Sequence, residues 1–279
     1  MFSLKSLEKY LPNLNSNSKN FKICNKKIFE LVKNSDLFNP HRGLFFFKEI
    51  GRIYFPFFNM GKISSSDLFS LNEFLIFYFY LKYKKKYKKA ADMGANLGLH
   101  TIVLSKLGIK VDSYEPDPNT YNQLKKNIKN NKCRFVKLIK AAVYNKNKFL
   151  KFTRVHDNLT GSHISSEKKS YGNKSSIIVK TVNINDVANK YDLIKMDIES
   201  AEATVLTSLK KSLFFNRDII VEVGNKSNAN KIYKFLKKNN LKSFSQKKKF
   251  MRVKYLSDMP SSHRDGLLLI SQTMGDKIF

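Results

Sequence analysis

Tryptophan is missing from this chain of 279 residues, arginine is scarce, and 22 acidic residues face 52 basic ones. Cysteine appears twice, at Cys24 and Cys133, far apart and without metal-ligand spacing. That excludes a disulfide framework and a zinc finger and fits a reducing compartment. No apolar run approaches the roughly 20 residues a bilayer span requires, and the first residues, MFSLKSLEK, lack the continuous apolar stretch of a secretory leader. The expected location is therefore cytoplasmic. What remains, 42% hydrophobic and 13% aromatic residues, is enough to bury a sizeable core.

The net charge of +30 admits two readings. A strongly basic protein commonly meets an acidic partner such as nucleic acid or an anionic membrane surface. Yet the excess is lysine, accompanied by abundant Asn, Ile, Phe and Tyr, a set that AT-rich coding writes wherever a surface tolerates it. Arginine, the residue suited to bidentate phosphate recognition, is the scarce one. The most apolar segment, Phe74–Leu81, follows Ser64–Asp67, a candidate helix N-cap, and precedes a run of lysines. It reads as a buried helix, with a helix lying on an anionic membrane as the alternative.

From about Lys88 onward short apolar strands alternate with helical periodicity, the pattern of βαβ units and a parallel sheet. Strands are expected to end at Met93, over 110–114 and over 135–139. Helical stripes follow the first two, through Leu99, Ile102, Val103 and Leu107 and then Tyr121, Leu124 and Ile128. Two alternating segments, 149–155 and 177–182, stand without a helix between them and are joined by a polar loop, 157–176. The alternation resumes with strands at 192–197 and 218–223, helices through Val205 and Ile232, and a last strand at 267–270. Residues 1–63 follow a different grammar, with aromatic clusters at 45–47 and 54–58, and read as a cap on the sheet or a substrate lid.

Chemistry concentrates where strands end. Asp92-Met-Gly-Ala-Asn-Leu-Gly98 sits at a strand-to-helix turn, where glycines allow close backbone approach and a helix N-terminus offers N–H groups. Gly94 and Gly98 are the expected close-approach residues, Asn96 tolerates a left-handed turn, and Asp92 suits a cationic ammonium group. Glu115 ends the next strand, where a carboxylate accepts ribose hydroxyls. A dinucleotide site shares this plan but needs G-x-G-x-x-G to admit a pyrophosphate; Asn96 stands at its second glycine. S-adenosylmethionine, with an amino-acid end and no pyrophosphate, fits better. Farther on, Asp197, Glu199 and Glu202 crowd one turn, where their repulsion costs stability unless charge or a proton compensates; Asp197 stands at a strand's carboxyl end, where open α/β sheets bind ligands, and helix N-terminal acids favoured by the dipole are the alternative. Glu222 ends the following strand.

These segments resemble the FkbM-type methyltransferases in Asp92–Gly98, Glu115-Pro-Asp-Pro118, Ala141-Ala142, Asp192–Glu202 and Ile220-Val-Glu222, in order, over roughly residues 85–225. The resemblance implies the class I methyltransferase (Rossmann-like) α/β fold. That fold has a seven-stranded, mostly parallel sheet with helices on both faces and one antiparallel strand near its edge. Here it would occupy 64–279 behind the N-terminal extension 1–63. It further implies S-adenosylmethionine as donor and O-methylation of a small molecule or glycan, commonly a sugar or polyketide-like hydroxyl. On this reading Asp92, Gly94, Asn96, Gly98, Glu115 and Ala141 hold the donor, and Asp197, Glu199 and Glu222 act on the acceptor side. One departure stands out: Ser200 occupies a position where the family usually has glycine. A divalent metal on the carboxylates is an alternative to purely organic catalysis, and a nucleic-acid methyltransferase or binder is the alternative the charge raises. His100 reads as a neighbour of the donor loop, and His156 and His163 as loop residues. Acceptor choice is expected to lie in 1–63, 157–176 and 245–265.

Overall fold

Seven strands form the frame: β1 (Lys89–Met93), β2 (Lys110–Tyr114), β3 (Val136–Ile139), β4 (Leu193–Met196), β5 (Asp218–Glu222), β6 (Ser243–Ser245) and β7 (Leu267–Ile270). The computed structural model describes residues 1–13, 18–39, 41–169, 172–262, 265–276 and 278–279. The sheet runs β6-β7-β5-β4-β1-β2-β3, and among the described residues an eighth short strand, Met251–Arg252, extends it beyond β6. Pairs from β5 through β3 are parallel, whereas β7 runs antiparallel to both β5 and β6. This is the class I methyltransferase sheet, with chain order reversing at β1 and β4. In such sheets ligands bind outside the carboxyl ends of the strands at that reversal.

The strand period sorts the two faces. Ala90, Val111, Leu193 and Ile220 face one apolar cluster, and Ala91, Met93, Ile194, Met196 and Val221 the other. By the same alternation Asp92 and Lys195, which are cross-strand partners, turn toward the first face. That face is covered by α2 (Leu71–Tyr83) and α3 (Leu99–Lys106). The opposite face carries α5 (Glu202–Ser208) and α6 (Lys226–Lys238), while α4 (Pro118–Asn130) packs its Leu124 and Ile128 on the α3 side.

Every residue from Phe74 to Tyr80 in α2 is buried. The segment is therefore the core helix, with no apolar side left to lie on a membrane. Among the described residues no helix is long and apolar enough to cross one. Its cap is Ser70, whose hydroxyl accepts from Glu73 N at 3.4 Å. The expected cap, Ser64–Asp67, instead closes a separate short turn, Ser65–Leu68, where the Asp67 carboxylate accepts from Ser64 N at 2.7 Å.

Among the described residues of 1–63, Leu4, Leu7, Leu11, Leu37, Phe45, Phe47, Ile53 and Phe55 are buried in the same cluster as α2, while Ile23, Phe29 and Phe46 stay exposed. A hairpin, Leu44–Phe47 with Gly51–Tyr54, brings the Phe45 and Phe47 rings to 5.7 and 5.0 Å from Phe74. α1 (Lys19–Lys33) adds Cys24, Ile28 and Val32. Residues 14–17 and 40 of this segment lie outside the described residues, as do 170–171 and 263–264 in the two other segments read as acceptor-determining.

The two alternating segments form a second sheet, Ala142–Tyr144, Lys174–Asn183, Phe149–Val155 and His163–Ile164, in that order. Its connecting loop meets the N-terminal segment. Lys62 N donates to Asp157 O at 2.7 Å and Leu159 N to Met60 O at 3.0 Å. The cap and the loop thus close together over the carboxyl edge of the main sheet.

Candidate active site

A cavity of about 520 Å³ opens at that edge, between β1, β2 and β4 below and the joined segments above. Its size suits a drug-sized ligand. Gly94, Ala95, Asn96 and Glu115 form one wall, Ala142 and Val143 a second, Asp197, Glu199 and Glu222 a third, and Ile63, Asp67 and Asn158–Ser162 the roof.

The glycine loop is held from within. Gly94 N and Ala95 N donate to Tyr114 O at 3.0 and 2.9 Å, and Asn96 N donates to Glu115 Oε2 at 2.9 Å. These three N–H groups are spent inside the protein, so the loop does not offer the anion cradle that sequence alone allowed and a pyrophosphate needs. Gly94, at φ +79°, passes so close to the next loop that a Cβ would lie 1.8 Å from Asp197 O. Asn96 takes the left-handed turn, φ +50°. Gly98 plays another part than expected: at φ +90° it starts α3, and a Cβ there would lie 2.4 Å from Leu124 Cδ1. It serves helix packing and does not line the cavity. Ala141 is buried next to Ala142 and Val143, which line the cavity.

Glu115 accepts from Asn96 N and, at 2.9 Å, from Asp117 N, which fixes its carboxyl in the cavity wall. Burial pushes its pKa up to about 8, more than those two N–H groups pull it down. Asp117, unremarked in the sequence beyond its motif, caps α4 and pairs with Arg154. Burial opposes its charge, but the Arg154 partnership and the cap bonds hold it below the usual carboxylate range.

Asp92 lies behind the wall. It is fully buried, Oδ2 accepts from Thr101 Oγ1 at 2.7 Å, and among the described residues Oδ1 has no hydrogen-bond partner. Lys195 stands beside it, with Nζ 3.9 Å from Asp92 Oδ1 and 3.2 Å from Asp197 Oδ2. Burial alone would depress the Lys195 ammonium, but Asp197, Asp92, Glu73 and Glu222 override it and hold its pKa above the ordinary value. Asp197 is the reciprocal case. Burial raises it, while Lys195 and a hydrogen bond from Glu222 bring it below the ordinary value.

Glu199 reaches Lys168 of the loop at 3.0 Å. Glu202, by contrast, turns inward. Its Oε1 accepts from Ile198 N and Ser200 N at 3.0 and 3.2 Å, and its Oε2 from Asn228 at 3.1 Å. It ties the turn together, and burial raises it to about 8. Ser200 has φ +81° and Glu199 φ +51°, so the turn keeps the left-handed geometry that glycine takes without strain. Among the described residues no three His, Cys, Asp or Glu side chains are grouped to hold a metal ion.

Sequence reading passed over Lys195 and Glu73, both of which line the cavity. Lys195 carried a signal, since a lysine inside an otherwise apolar strand is buried only when paired. Glu73 comes from α2 and is held by His100, Nε2 to Oε2 at 2.6 Å, with Tyr80 OH at 3.1 Å from His100 Nδ1. His100 is thus a buried residue of the cavity wall that braces Glu73. His163 is also buried, with both ring nitrogens on backbone carbonyls, while His156 bonds Ser175 at the surface.

The family profile described as Methyltransferase FkbM domain matches residues 92–243. The chain belongs to the FkbM methyltransferase family. It is accordingly an S-adenosylmethionine-dependent methyltransferase. No curated protein matches the chain in sequence. It is similar to the solved structure of precorrin-6y C5,15-methyltransferase from Geobacter metallireducens, at 12% identity and TM-score 0.42 over 71% of this chain and 88% of that one. A second similar structure is the Podospora anserina methyltransferase PaMTH1 bound to S-adenosylhomocysteine, at 11% identity and TM-score 0.38 over 74% and 80%. A third is an O-methyltransferase from Bacillus cereus, at 10% identity and TM-score 0.36 over 70% and 80%.

For an FkbM-family donor the cavity is suitably built. Glu115 presents an anchored carboxyl for ribose hydroxyls, Gly94–Asn96 give a side-chain-poor wall, and Ala142 and Val143 an apolar one. The unpartnered Asp92 Oδ1 lies beneath this floor and acts on it through Lys195.

Proposed function

We propose that this enzyme methylates a hydroxyl of a neutral, hydroxyl-rich small molecule or glycan. The observation that carries this reading is the charge of the cleft. Although the whole chain is at +30, seven carboxyl groups line the cavity against two lysines. Four of the seven, Asp197, Glu199, Glu222 and Glu73, gather at the acceptor end, where Lys168 and Lys195 also lie. Carboxylates accept hydrogen bonds from hydroxyls and repel phosphates; two like charges 4 Å apart cost about 1 kcal/mol in bulk water and about 4 kcal/mol near a protein surface.

When bound, the donor supplies a sulfonium methyl group, whose carbon–sulfur bond breaks as the carbon–oxygen bond forms. Glu115 and the 94–96 wall hold it in place, which supplies the alignment an in-line displacement needs. Asp197 accepts the hydrogen bond of the attacking hydroxyl and takes its proton as the ether forms. Because Asp197 is held below the usual carboxylate range, it is a weak base, and its larger contribution is orientation. The Lys195 ammonium offsets charge building on the oxygen. Glu222, bonded to Asp197, keeps that carboxylate turned toward the acceptor.

The basic surface favours a second reading, a nucleic-acid substrate held by surface lysines. One experiment separates them. Transfer of radiolabelled methyl from S-adenosylmethionine is followed to neutral oligosaccharides, small hydroxylated metabolites and total RNA. Alkali-stable ether label on a neutral acceptor is the expected result. Label confined to RNA and falling steeply with salt would overturn the proposal.

A further inference from the structure

A second cavity, about 170 Å³, lies beside the first on the α2 side. Glu73, Lys195, Asp197 and Glu222 line both, so the two spaces meet at the charged cluster. The rest of its wall comes largely from outside the family match: Ser70, Asn72 and Ile76 before it, Gln246, Gly266 and Leu267 after it.

The polar part of this wall is fixed in place. Gln246 is fully buried; its Nε2 donates to Asn72 Oδ1 at 2.8 Å, and its Oε1 accepts from Leu267 N at 3.2 Å. Gly266, at φ +80°, makes room for that amide, because a Cβ there would lie 2.1 Å from Gln246 Oε1. Among the described residues the Asn72 side-chain N–H groups have no hydrogen-bond partner. Glu73 is braced by His100 at 2.6 Å. Ile76, Ile220 and Leu267 supply an apolar side.

A small space with one apolar side, a fixed amide pair and carboxylates at its mouth has the chemistry of a sugar-ring site, where C–H faces pack and hydroxyls bond. The volume limits the occupant to about one ring, since an apolar cavity of about 150 Å³ takes up a single benzene. We propose that this cavity is the acceptor subsite and takes a single pyranose ring. Its reacting hydroxyl points to Asp197 and Lys195, and its neighbouring hydroxyls bond Glu73 and the Asn72 amide. The assignment rests on the neutral-acceptor reading above and narrows it to one ring type and one place.

The test uses the full chain, a panel of methyl pyranosides as acceptors, and calorimetry with S-adenosylhomocysteine. At least one pyranoside is expected to be methylated. Asn72→Tyr, which fills the cavity, is expected to raise its KM at least 10-fold with the S-adenosylhomocysteine Kd within twofold of wild type. Asn72→Ala, which removes only the amide, is expected to raise KM at least threefold and serves if the larger variant does not fold. Unchanged KM in Asn72→Ala, or parallel loss of S-adenosylhomocysteine affinity in either folded variant, overturns the subsite. No transfer to any pyranoside also overturns it; transfer to another neutral hydroxyl compound would then leave the broader reading standing, and transfer to RNA alone would remove both.

Discussion

Lys195 holds its ammonium 3.2 Å from Asp197 and 3.9 Å from Asp92, bridging the carboxyl ends of two neighbouring parallel strands inside the protein. Removing the cation leaves the fully buried Asp92 carboxylate without a counter-charge, beside the partly exposed Asp197. Breaking a buried pair from one side costs about 3–5 kcal/mol. Lys195→Met is therefore expected to lower unfolding free energy by about that amount in urea titration. Adding Asp92→Asn should return part of the loss, because it removes one of the orphaned charges. A double variant no more stable than Lys195→Met would show that the cation and Asp92 are not coupled.

Glu115 and Glu202 make the opposite contribution with pH. Both are raised by burial to about 8 from an ordinary value of 4.5. Between those values the folded protein holds protons that the unfolded chain has released, so stability falls as pH rises through this window and levels off above it. The slope is up to about 1.4 kcal/mol per pH unit for each group. Asp197, held low, contributes stability that is lost only in acid, below the ordinary carboxylate range. Unfolding measured from pH 5 to 9 should show the decline, and Glu202→Gln should flatten it. A slope unaltered by that substitution would mean that Glu202 is not the titrating group.

Ser200 sits at φ +81°, a conformation that glycine takes without strain. A non-glycine residue in the left-handed region carries roughly 1–2 kcal/mol of strain, partly offset by glycine's greater freedom in the unfolded chain. Its backbone bonds, N to Glu202 and O from Asn228, do not need the side chain. Ser200→Gly is thus expected to stabilise the protein by about 0.5–1 kcal/mol, a rise in melting temperature of about 1–3 °C by calorimetry. A fall in melting temperature would place the hydroxyl in a contact that outweighs the strain.

The main sheet was legible because its strands are short apolar runs separated by helical stripes, and the strand ends carry the motifs. Asp92 was read correctly as sitting at a strand end but not as facing inward; that followed only once β1 and β4 were in register, which sets Asp92 beside Lys195. The packing of Gly98 on Leu124 was out of reach for a similar reason, since Leu124 is 26 residues away and nothing local announces it. Glu73, Asn72 and Gln246 were beyond reach because they join the site through tertiary packing of segments that carry no motif. The cap on α2 was misplaced by six residues, since Ser64–Asp67 has the same hydrogen-bonding chemistry as the true cap at Ser70 and serves a turn of its own.

The two glycines of the donor loop should separate under substitution. At Gly94 an added Cβ lies 1.8 Å from the backbone oxygen of Asp197, which cannot move without moving the β4 end. At Gly98 it meets only the tip of Leu124, at 2.4 Å, a side chain that another substitution can shorten. Both also place alanine at positive φ, a cost of roughly 1–2 kcal/mol each. Gly94→Ala is therefore expected to lose S-adenosylhomocysteine binding by at least 100-fold in calorimetry. Gly98→Ala is expected to be destabilised mainly in unfolding, with partial recovery when Leu124→Ala is added, although Leu124→Ala alone opens a core cavity and costs about 2–5 kcal/mol. If Leu124→Ala makes Gly98→Ala worse by its full separate cost, the two sites are independent and Gly98 does not set the packing of α3 on α4.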